Sequence, residues 1–138
     1  MSYFLDTNAC IYLLKGEYPL LQKRLLEQRP SSIKIPAMVL AELYAGANES
    51  SELARTKSAI ESFVAAFEVV NFDQNASRVF GELRAHMSRA ALKIGAYDLI
   101  IAATVISREG VLVTHNTKEF NRIADLSVED WTQELLAL

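Results

Sequence analysis

The stretch Tyr3-Phe4-Leu5-Asp6-Thr7-Asn8-Ala9-Cys10-Ile11-Tyr12-Leu13-Leu14-Lys15-Gly16 sets the class of fold. Its apolar run from Tyr3 to Leu5 stops at Asp6-Thr7-Asn8, and helical spacing then takes over through Ala9, Tyr12 and Leu13 as far as Gly16. A strand thus turns directly into a helix, and the pattern recurs along the chain. A second helix is predicted from Pro19 to about Gln28, a strand over Ile33 to Ile35, and a helix from Pro36 to about Ala47. Ser51 to Phe67 reads as a helix, Glu68 to Phe72 as a strand, and Asp73 to about Lys93 as the longest helix. A very apolar helix follows from Tyr97-Asp98 to Glu109-Gly110, then a strand over Val111 to Val113 and the polar turn Thr114-His115-Asn116-Thr117. A short helix around Lys118 to Arg122 and an edge strand within Leu126 to Trp131 complete the pattern, while Thr132 to Leu138 carries none that can be assigned. Strands alternating with helices, without linker or repeat, predict one three-layer α/β/α domain over residues 1–138 around a mostly parallel sheet.

At 138 residues and 51% hydrophobic content, the chain is the size of one domain with one core. Its apolar runs fall short of the ~18 residues that suggest a membrane span, and no basic region opens a secretory signal. A soluble cytoplasmic protein without membrane contact is therefore expected. Cys10, the lone cysteine, sits among apolar neighbours and reads as a small core residue. The net charge of -3 argues against a general nucleic-acid binder. That objection weakens if several acids share one metal site, because the rest of the surface is then close to neutral. Arg78, Arg84, Arg89 and Lys93 fall along one predicted helix. They read first as a solvated face and second as a phosphate path.

Asp6, Glu42 and Asp98 are each the only charged residue in their stretch, namely Ser2 to Leu14, Ile35 to Ala47 and Ile94 to Ile106. A carboxylate in an apolar setting needs a partner, and no Lys or Arg is near any of the three in sequence. Brought together, they would repel one another unless a cation sat between them. Asp6 and Asp98 lie near predicted helix starts, where capping is an equally good reading. Glu42 lies about two turns into its helix and cannot be a cap. In a parallel sheet, ligands bind at the carboxyl ends of the strands, where Asp6 and the Thr114 to Asn116 turn both fall. An all-oxygen donor set points to magnesium or manganese over zinc, and His86 and His115 are too few and too separated for a zinc site. The five glycines are dispersed, so there is no phosphate-cradling loop. Carboxylates around divalent ions are suited to phosphodiester hydrolysis.

Four motifs then carry a resemblance: Leu5-Asp6-Thr7-Asn8; Ala41-Glu42-Leu43 with Gly46; Tyr97-Asp98-Leu99-Ile100-Ile101-Ala102-Ala103; and Val113-Thr114-His115-Asn116 followed by Glu119-Phe120. In this order and spacing the chain resembles PIN domains, specifically the VapC-type ribonuclease toxins, from about Tyr3 to Trp131. The resemblance implies that Asp6, Glu42 and Asp98 are metal-binding acids and that Asn116 stands where many members have a fourth acid of the catalytic group. It also implies that Thr7, Thr114 and Asn116 position water or substrate. Asn116 brings no charge; Glu119, one helical turn on, reads first as a solvated or dipole-complementing residue and second as a partial substitute. The implied activity is a magnesium-dependent endoribonuclease, with manganese as an alternative ion, acting on transfer or ribosomal RNA. The implied partner is a VapB-like antitoxin on a homodimer, giving a heterotetramer or larger assembly. Leu13, Leu14, Leu20, Leu21 and Leu25 read as core first and as an antitoxin groove second. The main alternative is a catalytically weak or inactive PIN-like module that binds RNA or protein. A phosphatase-like enzyme is disfavoured, because its second acid would fall where Asn8 stands.

Overall fold

The computed structural model describes residues 1–134, so positions 135–138 of the single domain expected over 1–138 lie outside the described residues. The strands are β1 (Tyr3–Leu5), β2 (Ile33–Pro36), β3 (Glu68–Val70), β4 (Val111–Val113) and β5 (Ser127–Glu129). The helices are α1 (Thr7–Lys15), α2 (Pro19–Leu26), α3 (Ala37–Glu49), α4 (Leu53–Val64), α5 (Gln74–Arg89), α6 (Ala96–Ser107) and α7 (Thr117–Phe120), with a 3-10 turn over Pro30–Ser32. Every strand predicted from the sequence is present, including the edge strand.

The five strands lie in the order β3-β2-β1-β4-β5 and all pairings are parallel. Tyr3 pairs with Ile33 on one side and Val111 on the other, so β1 is central. Successive strands move outward in one direction from β1 to β3, then the chain crosses back to β4 on the other flank. With right-handed crossovers, the helices before and after that reversal cover opposite faces of the sheet. Accordingly α1, α3 and α4 pack together, and α5 packs along α6. The reversal makes the carboxyl end of β1 and β4 the topological switch point of the sheet. Asp6 follows β1 there, and Thr114 follows β4.

Local chemistry sets the ends of these elements. Gly16 closes α1 at φ 70°, a left-handed conformation that glycine adopts without strain. Asp73 caps α5 by accepting the Ala76 N–H at 2.9 Å. The predicted helix over Asp73 to Lys93 stops earlier, at Arg89. Ala91 turns to φ 55° and Leu92 N–H reaches back to the Met87 carbonyl at 2.9 Å, the reversal that ends a helix before an apolar residue. α6 is apolar on almost every side, as a helix through the middle of a core must be, and Leu99 with Ile101 to Val105 is buried. Thr104, its one buried hydroxyl, donates to the Ile100 carbonyl at 2.9 Å. Cys10 is buried in the core, as expected, and Leu21 with it; Leu13, Leu14 and Leu25 pack against that core from its edge. Among the described residues no helix is long and apolar enough to cross a membrane.

Candidate active site

Asp6 is both a cap and a member of the acidic group, so the two readings of it coincide. Its Oδ1 accepts the Ala9 N–H at 2.8 Å, which starts α1. Its Oδ2 accepts the Thr114 hydroxyl at 2.5 Å, across the switch point from β4. The residue is 4% exposed. Burial pushes its carboxyl up to about 6, against the pull of the Thr114 and Ala9 hydrogen bonds and with a further push from Glu42.

Glu42 lies within α3, half-buried, and its Oε1 accepts the Thr7 hydroxyl at 2.6 Å. The two hydroxyls thus divide the acids between them, Thr114 on Asp6 and Thr7 on Glu42. Asp98 occupies the first turn of α6. The cap position belongs to Gly95, three residues earlier, so Asp98 complements the helix dipole and leaves the capping to another residue. Its carboxyl is pushed up to about 7, first by burial, then by the neighbouring Glu119 carboxylate, and then by Glu42 and Asp6. That mutual influence places Asp6, Glu42, Asp98 and Glu119 in one electrostatic neighbourhood, and the packing of α3 against α6 is what closes it.

Asn116 is exposed at the start of α7, where its Nδ2 donates to Glu119 Oε2 at 2.6 Å and its N–H donates to Thr114 Oγ1 at 2.9 Å. Glu119 therefore faces the acid group and is not a solvated bystander. Its spacing of three residues from Asn116, one turn of helix, was the signal for it. His115 points elsewhere: Nδ1 lies 3.1 Å from Asp130 Oδ2 and 3.0 Å from Thr132 Oγ1, with the Tyr18 ring 5.3 Å away. His86 is exposed on α5 and apart from the acids, while His115 makes no hydrogen bond to them and exerts only a small downward pull on the Asp6 carboxyl.

The donor chemistry of this cluster suits a hard cation, since carboxylates, an amide and hydroxyls supply oxygen, and among the described residues no imidazole or thiol hydrogen-bonds to these acids. Among the described residues no Lys or Arg forms an ion pair with any of the four acids. Nor, among those residues as they stand, are three acid, imidazole or thiol groups drawn in to grip a single ion. Hydroxyls and an amide hold the carboxylates instead.

Comparison with known proteins agrees with this geometry. The PIN domain family matches residues 3–126, a range that contains Asp6, Glu42, Asp98, Asn116 and Glu119. Ribonuclease VapC2 of Rickettsia felis is 36% identical over 132 residues, covering 95% of this chain and 98% of that protein. The chain is a PIN domain of the VapC family. The tRNA(fMet)-specific endonuclease VapC of Salmonella typhimurium is 34% identical, covering 95% of this PIN domain and 98% of its own length. The crystal structure of DNA-bound VapBC from Salmonella typhimurium superposes with a TM-score of 0.90 at 34% identity, over 95% of this chain and 98% of the other. That of VapBC2 from Rickettsia felis bound to a promoter DNA fragment gives 0.88 at 35%, over 95% and 99%. The PIN domain accordingly has its acids at the sheet edge where the strand order reverses, and its fold matches across nearly the whole length of these relatives.

Proposed function

We propose that this PIN domain is a magnesium-dependent endoribonuclease, the toxin of a toxin-antitoxin pair, which hydrolyses RNA phosphodiester bonds. The observation that carries the reading is the meeting of Asp6, Glu42 and Asp98 with Glu119 at the switch point, without a basic partner among the described residues. Asp6 and Asp98 are assigned to hold the ion, with Glu42 completing or orienting the set; manganese satisfies the same donors. When bound, the divalent ion supplies an activated water and neutralises the charge that develops on the phosphate. The chain's own residues prepare that chemistry. Thr114 fixes Asp6, Thr7 fixes Glu42, and Asn116 with Thr114 is assigned to the water or the scissile phosphate. Glu119 supplies the charge that Asn116 lacks.

The names of the relatives support RNA as the substrate, and those from Salmonella and Shigella are called tRNA(fMet)-specific endonucleases, which puts transfer RNA ahead of ribosomal RNA as the target. The solved neighbours from Rickettsia felis, Salmonella typhimurium and Haemophilus influenzae are VapBC structures, which supports a VapB-like antitoxin as partner; the assembly we propose is a homodimer that forms a heterotetramer or larger complex with it. The cytoplasm, where such RNA resides, is the expected compartment. The test is incubation of antitoxin-free protein with total bacterial RNA in magnesium, beside EDTA and Asp6→Asn controls, with new 5′ ends mapped by sequencing. Discrete ends, lost in both controls, are expected. A folded protein that neither cleaves nor binds magnesium would instead be a non-catalytic RNA- or protein-binding module.

A further inference from the structure

Two hollows have walls built from residues next to the acidic group in the chain or belonging to it. One, of about 380 Å³, is walled by Arg84 and Ser88 of α5, by Lys93 of the following turn, and by Ala96 and Leu99, which flank Asp98 on α6. The other, of about 520 Å³, is walled by Asn116, Lys118, Glu119 and Arg122, so its floor includes two members of the acid site itself. The two are tied together at their boundary, where Arg122 Nη1 donates to the Lys93 carbonyl at 3.0 Å.

Each hollow thus contributes two cations, and among the described residues none of Arg84, Lys93, Lys118 and Arg122 forms an ion pair. Lys34, Arg55 and Arg108, by contrast, are neutralised by Glu68 or Glu52. The backbone of the turn that carries Lys93 is fixed, while the side chains of Arg84, Lys93 and Lys118 are exposed and reach from it. The left-handed Ala91 and the Leu92 N–H bond to Met87 end α5 at a set angle, and Arg122 braces the same turn from the other side. The stripe of Arg78, Arg84, Arg89 and Lys93 is thereby divided. Arg84 and Lys93 face the hollow, while Arg78 donates to Asn75 Oδ1 at 3.2 Å, and Arg89 lies outside both hollows.

A polyanion approaching a chain of net charge -3, at a point where four carboxylates meet, is repelled unless cations lie along its path. We infer that Arg84, Lys93, Lys118 and Arg122 form a two-part cationic cleft that seats the backbone phosphates of the RNA strand leading away from the acid site on its Asp98 side. This rests on the ribonuclease reading above and deepens it. The cleft sets where the strand lies and carries no bond-making step. Arg122 is a positioning residue as well as a charge, because it holds the Lys93 turn in place.

The experiment is fluorescence anisotropy with a labelled oligouridine of about 12 nucleotides, within the ~4–16 nucleotides that single-strand sites span. It is run in EDTA over a series of salt concentrations and paired with cleavage of total RNA in magnesium. For the double variant Lys93→Gln/Arg122→Gln, the slope of log Kd against log salt should become shallower by about 0.7 for each phosphate that is no longer neutralised. KM should rise several-fold with kcat near wild type. Arg122→Lys keeps the charge and removes the guanidinium brace, so it should keep the salt slope while raising KM. Lys57→Gln, on α4 away from both hollows, should match wild type. Circular dichroism verifies folding, and the Arg84→Gln/Lys118→Gln pair serves as an independent repeat if the first pair unfolds. Unchanged slope and KM in folded variants of an active, EDTA-sensitive wild type would overturn the cleft and leave the ribonuclease reading intact. The same variants failing to bind antitoxin while still binding RNA as wild type does would overturn it in favour of a protein-docking face. If wild type itself neither binds nor cleaves RNA, the ribonuclease reading fails and the cleft with it.

Discussion

Thr114 serves two partners through one hydroxyl, donating to Asp6 Oδ2 at 2.5 Å and accepting from the Asn116 N–H at 2.9 Å. Thr114→Val removes both bonds from a buried position and should destabilise the fold by ~1–3 kcal/mol in urea unfolding, since Asp6 Oδ2 loses its partner while Oδ1 keeps the Ala9 N–H. Thr114→Ser should retain most of that stability and most of the cleavage activity. The raised carboxyls give a pH prediction of definite sign. Asp6 and Asp98 stand at about 6 and about 7 in the folded chain against 3.8 as the ordinary value, so the native state binds more protons than the unfolded one between those limits. Metal-free stability attributable to these groups therefore falls as pH rises from about 4 to about 7, with the cost fully present above the folded values. Asp98→Asn should lessen that fall and unfold at higher urea than wild type near pH 8 in EDTA, with the difference shrinking steadily on acidification and lost only below about pH 4. An unaltered pH dependence in the variant would contradict the raised Asp98 carboxyl.

At the scale of single elements, β1 and β4 meet more tightly than their short apolar sequences suggest. A Cβ on Gly110 would lie 2.5 Å from a Phe4 ring carbon and 3.1 Å from the Ser2 carbonyl, just before β4 begins. Gly110→Ala should therefore push the Phe4 ring out of the core and cost ~1–3 kcal/mol, read from the urea midpoint. Gly16→Ala meets no atom but forces alanine to φ 70°, which should cost about 1 kcal/mol. The elements themselves were legible in the sequence because each signal is local: apolar runs for strands, helical spacing after Asp6, and Pro19, Gly16 and Asp73 as punctuation. The end of α5 was not. Nothing in Ala90-Ala91 marks a stop, and the left-handed turn there is imposed by Leu92 packing back on the core and by the Arg122 brace.

For the whole molecule, a divalent ion that binds only the assembled site should stabilise the fold by mass action, by about 2.7 kcal/mol at a hundred times its Kd. A thermal shift with magnesium, reversed by EDTA and absent in an Asp6→Asn/Asp98→Asn variant, is the expected result. Because asparagine caps helices as well as aspartate does, loss of the shift at Asp6 would not reflect loss of α1. A wild type indifferent to magnesium would count against the ion. By itself the sequence determined that the chain alternates strands and helices in one α/β domain and that Asp6, Glu42 and Asp98 are the acids without local partners. Burial and charge act residue by residue, so a lone carboxylate in an apolar stretch is visible without a fold. Only the tertiary structure decided that β1 is central with β4 beside it, that Thr114 rather than Thr7 holds Asp6, that Glu119 belongs with Asp98, and which cations line the hollows. Those pairings join positions up to 108 residues apart. They are set by crossover handedness and by the packing of α3 against α6, neither of which leaves a mark in any one stretch of sequence.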